Sequence, residues 1–314
     1  MFFTAIDTGC TKIASAVIDE NGTIFRKDHY TRENDHDKDS TMQIYGGIVE
    51  RYRHEYPISA VGVGVGGRVD VNTGMYNFGT AAISGWDGVN IISELQDICS
   101  LPVAIENDSK VAIIGECWKG ATQGYETVLG VMIGTGLGGG YLYNNEMVYG
   151  SRYGAGELGH FILYPDGKKC LCGQYGCAEM YCSGTALWQS YNEMRTFNSM
   201  SINETQPLNP ISSGYEFFDR LNNGDTDAKK CIDMFSRDLA VSLVSLANLY
   251  DPQVILIGGG ITDTKEHWWD SMMEYYIQQG AAFVRDIPII ASTLGNDAPL
   301  LGAAKIACDL IKLR

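Results

Sequence analysis

The sequence predicts an α/β protein built from two related domains, and three observations carry that expectation. Its 314 residues, 45% of them hydrophobic, exceed what a single core usually organises. Short apolar runs with strand character alternate with longer segments of helical period. The strand–turn–strand pattern that opens the chain returns in its middle, where Ile133-Gly134-Thr135-Gly136 echoes Ile6-Asp7-Thr8-Gly9 in order and polarity. Two such halves would enclose a cleft.

Residues 2 to 6 and 13 to 18 read as strands joined by the turn DTGCT, and a third strand near 23 to 30 follows the turn Asn21-Gly22. The charged run ENDHDKDS leads to a helix near 41 to 55, and ISAVGVGVGG supplies a buried strand ending in glycines. A second hairpin, a helix near 90 to 99 and the strand PVAIE reach a sharp junction at Glu106-Asn107-Asp108, after which SKVAIIGECW is helical. TVLGVMIGTGLGGGYLYNNEMVYG then repeats the opening pattern. Helices are expected near 183 to 195, 215 to 222 and 226 to 250, with 196 to 213 as a polar, irregular excursion. The strand QVILI, the run Gly258-Gly259-Gly260, a further helix, the strand PIIAST and a closing helix over 300 to 313 complete the chain.

The formal net charge of −15 repels phosphodiester backbones and argues against general nucleic-acid binding. The N-terminal stretch shows neither a basic leader nor a long apolar run, so a soluble, cytoplasmic protein without a membrane span is expected. Of the nine cysteines, six are scattered through apolar segments, as reduced core thiols would be in a reducing compartment. The other three, Cys170, Cys172 and Cys177, lie among Gly167, Gly173 and Gly176, which let the backbone bend and point the sulfurs at one centre. With His160 they make a Cys₃His set that fills the tetrahedral shell zinc prefers and leaves no open position for an activated water. A structural Zn²⁺ follows; disulfides are the alternative, although a CxC pair is too cramped to close easily on itself.

GTGLGG at 134 to 139 formally matches GxGxxG, the fingerprint of dinucleotide enzymes. That fingerprint needs a helix directly after the glycines, whereas YLYNNEMVY reads as a hairpin. A glycine-rich β-turn can still hold phosphate by pointing backbone N–H groups into a concave nest. GxxxxGK[ST] occurs nowhere in the chain. The first turn, Asp7 to Lys12, offers N–H groups, a hydroxyl, an ammonium and one carboxylate, a combination suited to phosphate with Mg²⁺ held by Asp7 directly or through water. An ordinary hairpin would use Asp7 and Thr11 merely to satisfy turn backbone. Gly258-Gly259-Gly260 permits close approach of a flat group such as adenine, or is simply a tight connection. Asp108 sits where a strand gives way to a helix; it is either a helix cap or a base able to accept a hydroxyl proton. Glu157, His160 and Glu179 flank the cysteine loop, where an imidazole fixed by metal and two carboxylates would suit a polyol.

Taken together, IDTGCTK, ENDSKVAIIGE, IGTGLGGG, GELGH, the CxCGxxGCxE pattern at 170 to 179 and LIGGG resemble the ROK family of sugar kinases and related repressors, along nearly the whole chain. The resemblance implies an actin-like, ribonuclease-H-like pair of domains, with boundaries placed at 1–117 plus 296–314 and at 118–295. It implies an ATP- and Mg²⁺-dependent kinase of an aldohexose, with Asp108 as catalytic base and Gly67, Asn107, Asp108, Glu157, His160 and Glu179 on the sugar. It puts the phosphates on Asp7, Gly9, Thr11, Lys12, Gly134, Thr135 and Gly136, with Gly258, Gly259 and Gly260 beside the nucleotide. It makes His160, Cys170, Cys172 and Cys177 the zinc ligands, and a homodimer the expected assembly. Family repressors carry a DNA-binding helix–turn–helix before this region, for which a first strand at Phe2 leaves no room. Two departures stand out. Cys10 occupies a position usually held by Gly, and Ala82 replaces an Asn of the sugar-facing stretch, which leaves the choice among glucose, an N-acetylated hexosamine and other sugars open. A non-catalytic sugar sensor is the alternative from another class.

Overall fold

The computed structural model describes residues 1–9, 12–31, 37–79, 85–201 and 209–313. The chain groups into two compact units, the first made of Met1–Glu126, Gly140–Gly156 and Ser292–Arg314, the second of Thr127–Gly139 and Glu157–Ala291. Gly140–Gly156 belongs with the first unit, whereas the sequence placed it in the second domain. Its Tyr149 hydroxyl bonds the Glu106 carboxylate and its Gly140 packs on Ile113 and Lys110.

The chain begins with β1 (Phe2–Thr8), β2 (Lys12–Asp19) and β3 (Ile24–Thr31), an antiparallel meander. The turn between β2 and β3 is fixed by Asp19, whose carboxylate accepts from the N–H groups of Asn21 and Thr23, with Gly22 at φ 83°. Helix α1 (Lys38–Arg53), capped by Asp37, leads to β4 (Ile58–Val65), which runs parallel to β1. After the short pair β5 (Arg68–Val69) and β6 (Tyr76–Phe78) come α2 (Ile91–Cys99), β7 (Val103–Asn107) and α3 (Asp108–Lys119). The first sheet has the order β3-β2-β1-β4-β7.

Alternation along β1 explains why this sheet is covered twice. Ile6 faces a cluster with Tyr45, Ile48 and Tyr52 of α1 and Leu95 of α2, while Phe3 and Ala5 face Leu300, Ala303 and Ala307 of the C-terminal helix. The second face is built from small residues, so backbones come close. A Cβ at Gly62 would strike the Ala303 carbonyl, and one at Gly302 would strike that of Val111.

The second half repeats the arrangement. Strands β8 (Val128–Ile133), β9 (Leu137–Tyr143) and β10 (Glu146–Met147) form the meander, turning at Asn144 and Asn145, both left-handed at φ 53° and 65°. Helices α4 (Glu179–Cys182), α5 (Gly184–Ser201), α6 (Gly214–Asn222) and α7 (Thr226–Tyr250) precede β11 (Val254–Gly258). A 3₁₀ segment over Gly260–His267, α8 (Trp269–Gln279), α9 (Ala282–Arg285), β12 (Ile289–Ala291) and α10 (Ala298–Lys312) finish the chain. The second sheet has the order β10-β9-β8-β11-β12, with β11 parallel to β8 and to β12. Three meander strands followed by two parallel ones is the same order as in the first sheet, which gives the sequence echo its structural meaning. Helix α5 extends to Ser201, beyond the expected end at 195; residues 202–208 of the expected irregular excursion lie outside the described residues. Among the described residues, no helix is long and apolar enough to cross a membrane.

Candidate functional site

In the first unit, β1 ends at a turn in which the Gly9 N–H donates to the Lys12 carbonyl at 3.0 Å. Thr8 is buried and its hydroxyl meets that of Tyr45 at 2.5 Å, so the strand end is pinned to α1. Lys12 is exposed; Cys10 and Thr11 lie outside the described residues. Asp7 is half-buried, in register with Ala14 on β2 and Gly64 on β4. Its carboxyl is pushed up to about 7, by burial first and by the nearby charge of Asp108 second, with Lys12 opposing. Asp7 and Asp108 therefore face a common region of this unit.

At the junction at 106 to 108 the capping role falls to Asn107. Asn107 is the cap of α3: its Oδ1 accepts from the N–H groups of Ser109 and Lys110 at 3.0 and 3.1 Å. Asp108 is the first helical residue; its Oδ1 accepts from the Ser109 N–H at 2.7 Å. Its Oδ2 lies 3.6 Å from where a Cβ at Gly66 would stand, so the glycine keeps the space beside this carboxylate clear. Asn107 also donates through Nδ2 to the Gly67 carbonyl at 3.0 Å. Gly67 has φ 98°, and a side chain there would collide with the Tyr76 hydroxyl, which itself donates to the Gly66 carbonyl at 2.8 Å. Gly67, Asn107 and Asp108 are thus brought together by a single hydrogen-bonded bend. Ala82 lies outside the described residues.

In the second unit the turn between β8 and β9 presents Gly134 and Thr135 to solvent. It is held from two sides, because the Gly184 N–H at the start of α5 donates to the Gly134 carbonyl at 2.8 Å and the Leu137 N–H donates to Oε2 of Glu179 at 3.0 Å. Gly259, at φ 88°, leaves no room for a Cβ against the Ile133 carbonyl, so the glycine run packs β11 against the end of β8. Strand β9 follows the glycines directly, and with no helix there the dinucleotide fingerprint lacks its phosphate-binding terminus.

His160 ends a 3₁₀ turn over Leu158–His160, whose N-cap is Glu157. The loop beyond it folds back through isolated bridges pairing Ile162 with Cys177 and Lys169 with Tyr175. Gly173 and Gly176 take φ 96° and 73°, as the expected bends require. The ligand atoms of His160, Cys170, Cys172 and Cys177 all lie within 4.8 Å of one another. The sulfurs of Cys172 and Cys177 are 3.6 Å apart, far beyond an S–S bond of about 2.05 Å. They are close to the edge of about 3.8 Å that a tetrahedron with 2.3 Å Zn–S bonds would have. Nδ1 of His160 is 3.8 Å from the Cys170 sulfur. This donor set fits a closed zinc site. Glu179 joins loop and turn, since its Oε1 is 4.0 Å from the Cys170 sulfur while its Oε2 holds the Leu137 N–H.

Three polar residues near these sites escaped the sequence reading. Glu106 and Lys110, 2% and 5% exposed, lie beneath the Asn107-Asp108 bend with Tyr149. Glu106 closes an otherwise apolar strand, a signal that was available; nothing local indicates Tyr149.

Duplicated sheets with a meander and two parallel strands, glycine turns at equivalent strand ends and an acid at a strand-to-helix junction define an actin-like ATPase fold of kinase type. The ROK family model matches residues 3–309. A glucokinase of Streptomyces coelicolor is 31% identical over 312 residues, covering 96% of this chain and 96% of that protein. A glucokinase of Thermotoga maritima is 27% identical over 310 residues, covering 98% and 97%. The crystal structure of a ROK family glucokinase from Streptomyces griseus in complex with glucose and AMPPNP superposes with a TM-score of 0.83 at 29% identity, covering 98% of this chain and 100% of that one. The chain belongs to the ROK family and is a sugar kinase, a phosphotransferase with an alcohol group as acceptor.

Proposed function

We propose that the protein phosphorylates an aldohexose at its primary hydroxyl with ATP as donor, and that Asp108 is the general base. The observation that carries this reading is the division of labour at the junction: Asn107 caps α3, so the adjoining carboxylate of Asp108 is not consumed as the cap and lies beside the space kept by Gly66. Phosphoryl transfer leaves a protein little covalent chemistry to perform; it must orient the acceptor, take its proton and stabilise the spreading charge. Asp108 takes the proton. Asp7 would hold Mg²⁺, which supplies charge neutralisation on the transferred group. The Gly9 and Gly134-Thr135-Gly136 turns offer backbone N–H groups to phosphate, with Thr11 and Lys12 as further contacts. Gly258, Gly259 and Gly260 are proposed beside the base of the nucleotide.

For the sugar, the proposed ligands are Gly67, Asn107, Asp108, Glu157, His160 and Glu179. The Cys₃His set would hold a structural Zn²⁺ through Nδ1 of His160, leaving Nε2 as a donor aimed in a fixed direction. The glucokinase relatives favour glucose as the acceptor. Replacing Asp108 by Asn keeps the size and removes the base. Its kcat should drop by about 10²–10⁴-fold, the usual worth of general-base catalysis, with sugar affinity by calorimetry unchanged. Wild-type turnover in that variant would refute the assignment.

A further inference from the structure

Beneath the proposed base lies a buried polar group whose members come from distant parts of the chain, all within the first unit. Glu106 is 2% exposed. Its Oε1 accepts the N–H of Asn107 at 2.8 Å, and its Oε2 accepts the hydroxyl of Tyr149 at 2.6 Å. Lys110, in the first turn of α3 and 5% exposed, places its ammonium 5.2 Å from the centre of the Tyr149 ring. Tyr149 is itself anchored: its carbonyl accepts from the Ala155 N–H at 3.0 Å, and its ring packs against Tyr153, whose hydroxyl accepts from Asn72.

An acid at this depth needs a reason, because burying a carboxylate is costly unless its oxygens are bonded. Burial raises the Glu106 carboxyl, and Tyr149, the Asn107 N–H and Lys110 pull it back. Burial and the same carboxylate keep the Tyr149 phenol protonated, so the hydroxyl is a committed donor. The peptide that Glu106 grips is the last within β7, just before α3 begins, and its rotation sets where Asn107 caps and where the Asp108 side chain begins. We propose that Glu106 and Tyr149 act as a strut that orients the Asn107-Asp108 junction, making both positioning residues for phosphoryl transfer. Tyr149 fixes one oxygen of Glu106, and Glu106 uses the other to fix the peptide. The inference rests on Asp108 being the base.

Positioning errors near 1 Å are enough to cost about 10²-fold in rate, so the signature is in kcat. Tyr149→Phe removes the donor at constant shape and should lower kcat by about tenfold or more, with KM for the sugar near wild type. Glu106→Ala should lose more. Glu106→Gln retains an acceptor for the Asn107 N–H and a partner for the Tyr149 oxygen, and should recover most of the activity. The panel includes Asp108→Asn, assayed by steady-state kinetics alongside melting curves. Full kcat in Tyr149→Phe and Glu106→Ala, with only a lowered Tm, while Asp108→Asn is inactive, would overturn the strut and leave the base standing. Retained turnover in Asp108→Asn would overturn the base, and with it what the strut positions. If Glu106→Ala does not fold, Tyr149→Phe and Glu106→Gln decide the matter.

Discussion

The surroundings of Asp7 change its acid chemistry. A carboxyl raised from 3.8 to about 7 keeps its proton in the folded chain at pH values where the unfolded chain has lost it. Between those values the folded state binds more protons, so stability falls as pH rises through the window. In Mg²⁺-free buffer the Tm advantage of Asp7→Asn over wild type should therefore grow from about pH 4 to about pH 8. A constant difference would show that Asp7 is ordinarily ionised. At Cys172 the prediction is compositional. Cys172→Ser removes one of four donors and should release the metal, measured as zinc per chain, and weaken sugar affinity. Retained zinc would refute the ligand assignment, and full affinity without zinc would show that the metal does not organise His160.

At the scale of elements, the closing helix is held to the first unit by two devices. Glu116 on α3 is fully buried and accepts four hydrogen bonds, from the N–H groups of Ala121, Thr293 and Leu294 and from the Thr293 hydroxyl. It ties the chain just before α10 to the end of α3. Glu116→Ala leaves three backbone donors without this acceptor and should cost on the order of 3 kcal/mol, seen as a Tm lowered by several degrees. An unchanged Tm would contradict the clamp. The second device is the small-residue seam: Gly302→Val overpacks α10 against Val111 at a cost of about 1–3 kcal/mol. The strands and helices were legible because their local signals agree, as in the Asn21-Gly22 and Asn144-Asn145 turns. Which residue capped α3 was not, since Asn and Asp are equally good caps and only the third dimension shows Asn107 taking the role. Likewise Glu106 and Tyr149 are 43 residues apart, and no local pattern relates them.

For the whole molecule, duplication was legible from a four-residue echo because a tight turn between neighbouring strands constrains its own sequence. The cysteine loop was legible for a similar reason, its glycines being demanded by left-handed backbone at Gly173 and Gly176. Grouping Gly140–Gly156 with the first unit was not, because that depends on side-chain contacts made far along the chain. The proposed phosphoryl transfer is best tested across acceptors. The decisive measurement is ADP release with ATP and Mg²⁺ over glucose, mannose, fructose, allose, N-acetylglucosamine, N-acetylmannosamine and a phosphorylated β-glucoside. ADP should form in step with a sugar 6-phosphate for at least one aldohexose, and at a rate about 10²–10⁴-fold lower with Asp108→Asn. Sugar binding by calorimetry with no ADP released from any member of the panel would contradict it and identify a sensor in place of an enzyme.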